Sequence, residues 1–145
     1  MFARIKSARF DAVELRLDVD LTAADRTGAI ARDHGLEIAS LWASQPLSHH
    51  PLNSPDSATR AKGVDDIRRA TEVAAAIGCT ALLLVPGRVG SGPSLFAGYE
   101  ETWKRFTGEL SKCIPAAASH RVVLTVENVW SDKPPPQGGG SGNGL

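Results

Sequence analysis

A small set of side chains has the type and spacing to do chemistry. Glu127 stands where the apolar run Val122-Val123-Leu124-Thr125-Val126 ends. A carboxylate there is a ligand in a strand-end site, or a surface group, or a cap for the next helix. Glu14 alternates away from Val13 and Leu15, on the same side as Arg16. It is either a polar group beneath a substrate or half of a structural ion pair. His49 and His50 lie in a loop after the run Ile38-Ala39-Ser40-Leu41-Trp42. Adjacent histidines point apart, so one imidazole can touch a substrate but the two do not share one metal; the alternative is an ordinary loop. Trp42 and Trp130 fall at the ends of apolar runs, where an indole either floors a sugar or packs on core or rim. Arg88, after Pro86-Gly87, is placed for a substrate phosphate or carboxylate, or is simply solvated. Gly90, Gly92 and Pro93 read as a mobile loop and lack the G-x-x-x-x-G-K-[ST] spacing of a phosphate-binding loop. His34 and His120 stand at helix ends, where the C-terminal dipole accounts for them. No catalytic acid, base or nucleophile is assigned from these residues.

The elements that must position them alternate in type. Four short apolar runs, at 13–17, 38–43, 81–85 and 122–127, read as strands. The first alternates, with Glu14, Arg16 and Asp18 opposite Val13, Leu15 and Leu17. The last two are continuous, the pattern of strands covered on both faces. Thr22 with Asp25 resembles a capping box opening a helix that Gly35 ends. Ser54-Pro55-Asp56 offers an N-cap, a proline at the first helical position and an acid near the dipole. The helix after it carries Val64, Ile67, Ala70, Val73, Ala74 and Ile77 on one stripe and stops at Gly78. A third helix begins near Tyr99, with Trp103, Phe106, Leu110 and Cys113/Ile114 on one face, and Pro115 kinks or ends it. Strand and helix therefore alternate, which predicts right-handed crossovers, a parallel sheet and an α/β fold.

Composition bounds the function. The 145 residues carry 16 basic and 16 acidic side chains, so no bulk electrostatic attraction draws the chain to nucleic acid or an anionic membrane. No apolar run approaches the roughly 20 residues needed to cross a bilayer, and Met1 to Lys6 lack a signal-type stretch. Cys79 and Cys113 are far apart, with no CxxC partner, which argues against a disulfide framework or zinc knuckle. A reduced, cytoplasmic setting is the default. Residues 131–145, from Ser131 through Pro134-Pro135-Pro136 to the glycine-rich end, cannot bury a core and are expected to be a disordered tail on a domain at 1–130. Phe2 to Phe10 resembles the last turns of a helix feeding the first strand. Both ends read as cut.

Taken in order, several segments resemble the sugar phosphate isomerase/epimerase group of xylose-isomerase-like TIM barrels, which includes hydroxypyruvate isomerases and ketose 3-epimerases. Phe10-Asp11-Ala12-Val13-Glu14-Leu15 looks like the family's second strand, and Gly35-Leu36-Glu37-Ile38-Ala39-Ser40 enters the third. Ala74-Ala75-Ala76-Ile77-Gly78-Cys79 leads to Leu83-Leu84-Val85-Pro86-Gly87 at the fourth, and Val123-Leu124-Thr125-Val126-Glu127-Asn128 forms the fifth. The resemblance spans roughly residues 2 to 130 and implies a partial (β/α)8 barrel: about four parallel strands with helices outside, truncated at both ends.

The resemblance also implies chemistry. The family holds a divalent metal, Mn²⁺ or Mg²⁺, at the C-terminal mouth of the barrel, and its fifth-strand glutamate matches Glu127. Such an ion polarises a carbonyl while carboxylates move a proton between neighbouring carbons of a small sugar or sugar phosphate. On this reading Glu14, Trp42, His49 and Arg88 are the substrate-binding candidates. The family's other ligands come from its sixth to eighth strands, so metal binding by this chain is expected to be weak or absent. Two alternatives stand beside the isomerase/epimerase reading. One is a non-catalytic incomplete barrel that forms a homo-oligomer through exposed strand edges. The other is an apurinic-endonuclease-like hydrolase, opposed by the absence of histidine at Leu41-Trp42-Ala43 and Val85-Pro86-Gly87 and by zero net charge.

Overall fold

A computed structural model describes residues 1–17, 21–87 and 98–128, with the backbone alone at 21, 22, 24 and 44–46. The chain order is α1 (Phe2–Ser7), β1 (Ala12–Arg16), α2 (Leu21–Asp33), β2 (Glu37–Trp42), α3 (Ser44–His49), α4 (Ser57–Ala76), β3 (Ala81–Leu84), α5 (Tyr99–Ser111), α6 (Ile114–His120) and β4 (Val123–Val126). The four strands form one sheet in the order β1-β2-β3-β4, and every neighbouring pair is parallel. The strands lie within a residue or two of their predicted places.

Burial separates this sheet from the other common parallel architecture. Leu15, Ile38, Leu41, Leu82 and Leu84 are buried in the core with Ile67, Ala70 and Ala74 of α4. On the other face, Glu14, Arg16 and Trp42 are exposed. A doubly wound sheet reverses its strand order and carries helices on both faces. This sheet is strictly sequential and helix-covered on one face, as a barrel wall is. The expectation that β4 is covered on both faces therefore fails: Val123 is 62% exposed. No described element lies against that side of β4 to cover it.

Local chemistry explains the helices and corrects four expectations. In α4 it is Asp56, not Ser54, that caps: its carboxylate accepts from the backbone N–H of Ala58 and Thr59. This satisfies two of the donors a helix start leaves unpaired. Val64, Ile67, Ala70, Val73, Ala74 and Ile77 are all buried as the stripe requires. Burying a side chain as large as Ile67 contributes about 1.5–3 kcal/mol. Gly35 and Gly78 take the left-handed conformation after α2 and α4 (φ +68° and +75°), the role a helix-ending glycine fills. Helix α2 starts at Leu21, so Thr22 is its second residue rather than its cap. The third predicted helix is two: α5 ends at Ser111, and Pro115 lies in the first turn of α6 instead of breaking a longer helix. Phe106 and Cys113 are buried as expected. Trp103 and Ile114 are not; Trp103 stacks on exposed Tyr99 with ring centroids 6.3 Å apart.

Candidate functional site at the strand ends

Strand register builds one face across the sheet. Arg16 pairs with Trp42, Trp42 with Leu83, and Leu83 with Thr125, so these four residues form a row on the uncovered side. Beyond β4 the ladder continues for one more bond, from the Glu127 N–H to the Leu84 carbonyl at 3.0 Å. Two residues past Thr125, Glu127 falls by alternation on that same side, at the C-terminal ends of the strands. It is exposed. Trp42 presents an indole that is 37% exposed, a flat apolar surface in the row beneath.

A register shift places the next layer. Val13 pairs with Ile38, but Glu14 pairs with Ser40, so Ala39 is skipped. A bulge of this kind re-aims the side chains that follow it. Here it brings Ser40 opposite Glu14, and Ser40 Oγ donates to Glu14 Oε2 at 2.5 Å. Without the extra residue Ala39 would face Glu14 and Ser40 would point to the helices. The sequence pattern could not supply Ser40, because period-two alternation assumes an unbroken register.

The histidines separate as adjacent residues do. His49 is the last residue of α3 and is exposed. The segment read as a loop is thus partly helical. His50 turns to α4, with Nδ1 2.7 Å from Asp66 Oδ2. His34 Nδ1 lies 2.9 Å from the Ile30 carbonyl, the helix-end role expected of it. Arg88 and Trp130 lie outside the described residues.

The turn after α3 is held by a partly buried ionic cluster that sequence reading missed. Arg60 Nε donates to Glu109 Oε1 at 3.0 Å, and the same guanidinium donates to the carbonyls of Ser54 and Pro55. Lys112 Nζ reaches Glu109 Oε2 at 2.6 Å. The hydrogen bond from Lys112, then those of Arg60, hold the Glu109 carboxyl below its ordinary value against the opposing effect of burial. Arg60 and Glu109, 49 apart in sequence, are tied here from two different helices that give no sign of one another, and Lys112 joins at i,i+3 from Glu109. Nearby, Gly87 (φ +115°) packs against the Asn53 side chain, which a Cβ would meet at 2.8 Å. The loop after β3 is thereby set against the loop that follows α3.

Among the described residues no group of three His, Cys, Asp or Glu side chains could hold a metal ion. Both cysteines are free and buried. A hollow of about 870 Å³ lined by Arg32, Glu37, Ala75, Gly78 and Thr80 lies at the opposite, N-terminal ends of β2 and β3. It is remote from Glu127. Among the described residues no helix is long and apolar enough to cross a membrane.

A family model described as xylose isomerase-like TIM barrel matches residues 2–137. The chain belongs to that family. Solved structures agree on the fold. The D-tagatose 3-epimerase-like protein is 22% identical with a TM-score of 0.70, over 86% of this chain and 46% of that one. The 3-keto-D-glucoside 4-epimerase from E. coli is 17% identical with a TM-score of 0.71, over 86% and 48%. D-Allulose 3-epimerase from Methylomonas sp. is 23% identical with a TM-score of 0.65, over 86% and 43%. The chain thus spans less than half the length of these members of the fold. No curated protein matches it by sequence. Within the xylose isomerase-like family, the sequential four-stranded parallel wall and its C-terminal rim are what this chain represents.

Proposed function

We propose that this chain carries one part of the mouth of a sugar isomerase/epimerase-type barrel acting on a small sugar or sugar phosphate. The reaction class is proton transfer next to a carbonyl, with Glu127 as the carboxylate this chain contributes. The observation that carries the reading is the position of Glu127: the rim of β4, on the uncovered face, above the Arg16–Trp42–Leu83–Thr125 row. In a TIM barrel the site is assembled from strand ends on that rim. Trp42 offers an apolar floor for the C–H face of a sugar, and Glu14, fixed by Ser40, lies a layer below. His49, at the end of α3, and Arg88 in the segment after β3 are the remaining substrate-binding proposals.

Mn²⁺ or Mg²⁺, the ion such a site uses, takes about six donors. The described residues put one carboxylate on the rim and form no cluster of three potential ligands. They do not fit the ion by themselves. The reading is tested by Mn²⁺ calorimetry on the 145-residue chain, paired with an aldose–ketose interconversion assay. Weak binding and no measurable turnover are expected. Joining a family-type C-terminal half is expected to restore both, and Glu127→Gln in that joined protein to remove most of the activity. Tight stoichiometric binding by the 145-residue chain that Glu127→Gln abolishes overturns the view that the site needs further strands. Full activity of the joined Glu127→Gln protein overturns the role of Glu127.

A further inference from the structure

The hollow at the N-terminal ends of β2 and β3 is centred on an inner strand: β2 pairs with β1 on one side and β3 on the other. One turn before Arg32, α2 closes on its neighbours at Gly28, where a Cβ would meet Ile38 Cδ1 at 3.1 Å and Ile77 Cβ at 3.2 Å. Toward the helix ends the walls part to enclose about 870 Å³, within the range of about 300–1,000 Å³ that small-molecule sites occupy. A Cβ at Gly78, in the same wall, would meet nothing within 4 Å.

The polar groups in this wall carry both signs. Arg32 Nη1 donates to the Ile77 carbonyl at 2.7 Å, which ties the guanidinium to the end of α4. Among the described residues that is its one polar contact, so the rest of its N–H fork is open. The Glu37 carboxylate and the Thr80 hydroxyl have no partner among the described residues, and Arg32 does not pair with Glu37. At the end of α4 the N–H groups of Gly78 and Cys79 bond the Ala75 and Ala74 carbonyls, and Arg32 takes that of Ile77. The Ala76 carbonyl is left open among the described residues, with the partial negative charge of a helix C-terminus. Lys6, whose Cε lies 3.8 Å from a Cβ built at Gly35, turns its ammonium to Asp11 at 3.4 Å.

We propose that this hollow binds a small zwitterion of the α-amino-acid class. Its carboxylate lies on the open fork of Arg32, and its ammonium between Glu37 and the Ala76 carbonyl. The guanidinium fork matches a carboxylate through two parallel N–H···O bonds. Charge selects the class. A simple anion meets repulsion from Glu37 and the α4 terminus, and a simple cation meets it from Arg32. A ligand carrying both charges satisfies both. Ala39 and Ala75 in the wall leave room for a small apolar side chain. The hollow lies at the end of the sheet opposite Glu127, so the proposal does not depend on the catalytic reading.

An amide-resolved NMR titration of the 145-residue chain with L-alanine tests the site. Saturable shifts at the Gly35, Gly78 and Thr80 amides are expected, with a Kd of about 1 mM. Acetate and methylammonium each carry one of the two charges and are expected to bind at least roughly 10-fold more weakly. Arg32→Gln and Glu37→Gln are each expected to weaken L-alanine by roughly 10-fold or more. Arg26→Gln, elsewhere on α2, is expected to leave it unchanged. Because Arg32→Gln also removes the tie to Ile77, Ala75→Trp serves as the second probe: it fills the hollow from an exposed position and is expected to abolish binding with the fold retained. No saturable shift up to about 50 mM L-alanine overturns the proposal. So does acetate binding as tightly as L-alanine, shifts that saturate away from the hollow, binding that survives Ala75→Trp, or a loss matched by Arg26→Gln.

Discussion

Gly63 is where the packing of this chain can be tested most sharply. It sits inside α4, where alanine ordinarily stabilises a helix by about 1 kcal/mol over glycine. Here a Cβ would run into the carbonyl oxygen of His50 and lie 2.8 Å from Leu52 Cδ2, and Leu52 is fully buried. The first obstacle is backbone, so relief requires the His50–Leu52 turn to move off α4. That motion lifts Leu52 from the core and strains the His50–Asp66 contact. Overpacking of a tight site costs about 1–3 kcal/mol, and more when backbone must shift, so it outweighs the propensity gain. Gly63→Ala is therefore expected to destabilise by about 1–3 kcal/mol. Gly108→Ala is the internal control: it is also helical, in α5, and a Cβ there meets nothing within 4 Å. It is expected to gain about 0.5–1 kcal/mol. The assay is urea unfolding of the three proteins at one fixed concentration, since association shifts apparent stability. A Gly63→Ala protein as stable as Gly108→Ala would refute the claim that α4 and the turn are in backbone contact.

Further outcomes follow from the buried ionisable groups. Glu109→Ala leaves Arg60, largely buried, without its carboxylate, and is expected to cost about 2–4 kcal/mol in the same urea assay; an unchanged midpoint speaks against the cluster holding α4 to α5. Because the Glu109 carboxyl titrates lower folded than unfolded, its contribution is present above about pH 4.5 and lost as pH falls through the folded value. Glu109→Gln is expected to flatten that acid slope, measured as unfolding midpoint against pH. Burial raises both thiols, Cys113 to about 11, so neither is expected to react with a disulfide reagent at pH 8 until denaturant is added. Rapid labelling of the native chain would contradict the core position of both. Their raised values also mean stability declines above about pH 9, as the unfolded thiols ionise first, and a Cys79→Ala/Cys113→Ala protein is expected to lose that alkaline decline.

What the sequence determined by itself was the local order. Apolar runs bounded by glycine and cap residues set four strands and the long α4, because a strand or helix must bury its apolar face wherever it ends up. The family-like segments from Phe10 to Asn128 were legible for the same reason: each is contiguous. What it misjudged was also local. Asp56 rather than Ser54 is the cap because its carboxylate reaches two N–H groups at once, and Pro115 is accommodated in the first turn of α6 because α5 has already ended at Ser111. Only the tertiary structure decided which groups meet. The skipped Ala39 aimed Ser40 at Glu14, and a bulge leaves no mark on an alternating pattern. Arg60 met Glu109, and His50 met Asp66, across helices whose mutual placement depends on the core between them. The sequential order of the strands, and with it the uncovered face carrying Arg16, Trp42 and Glu127, came from how the crossovers pack, a property of the whole sheet and not of any one segment.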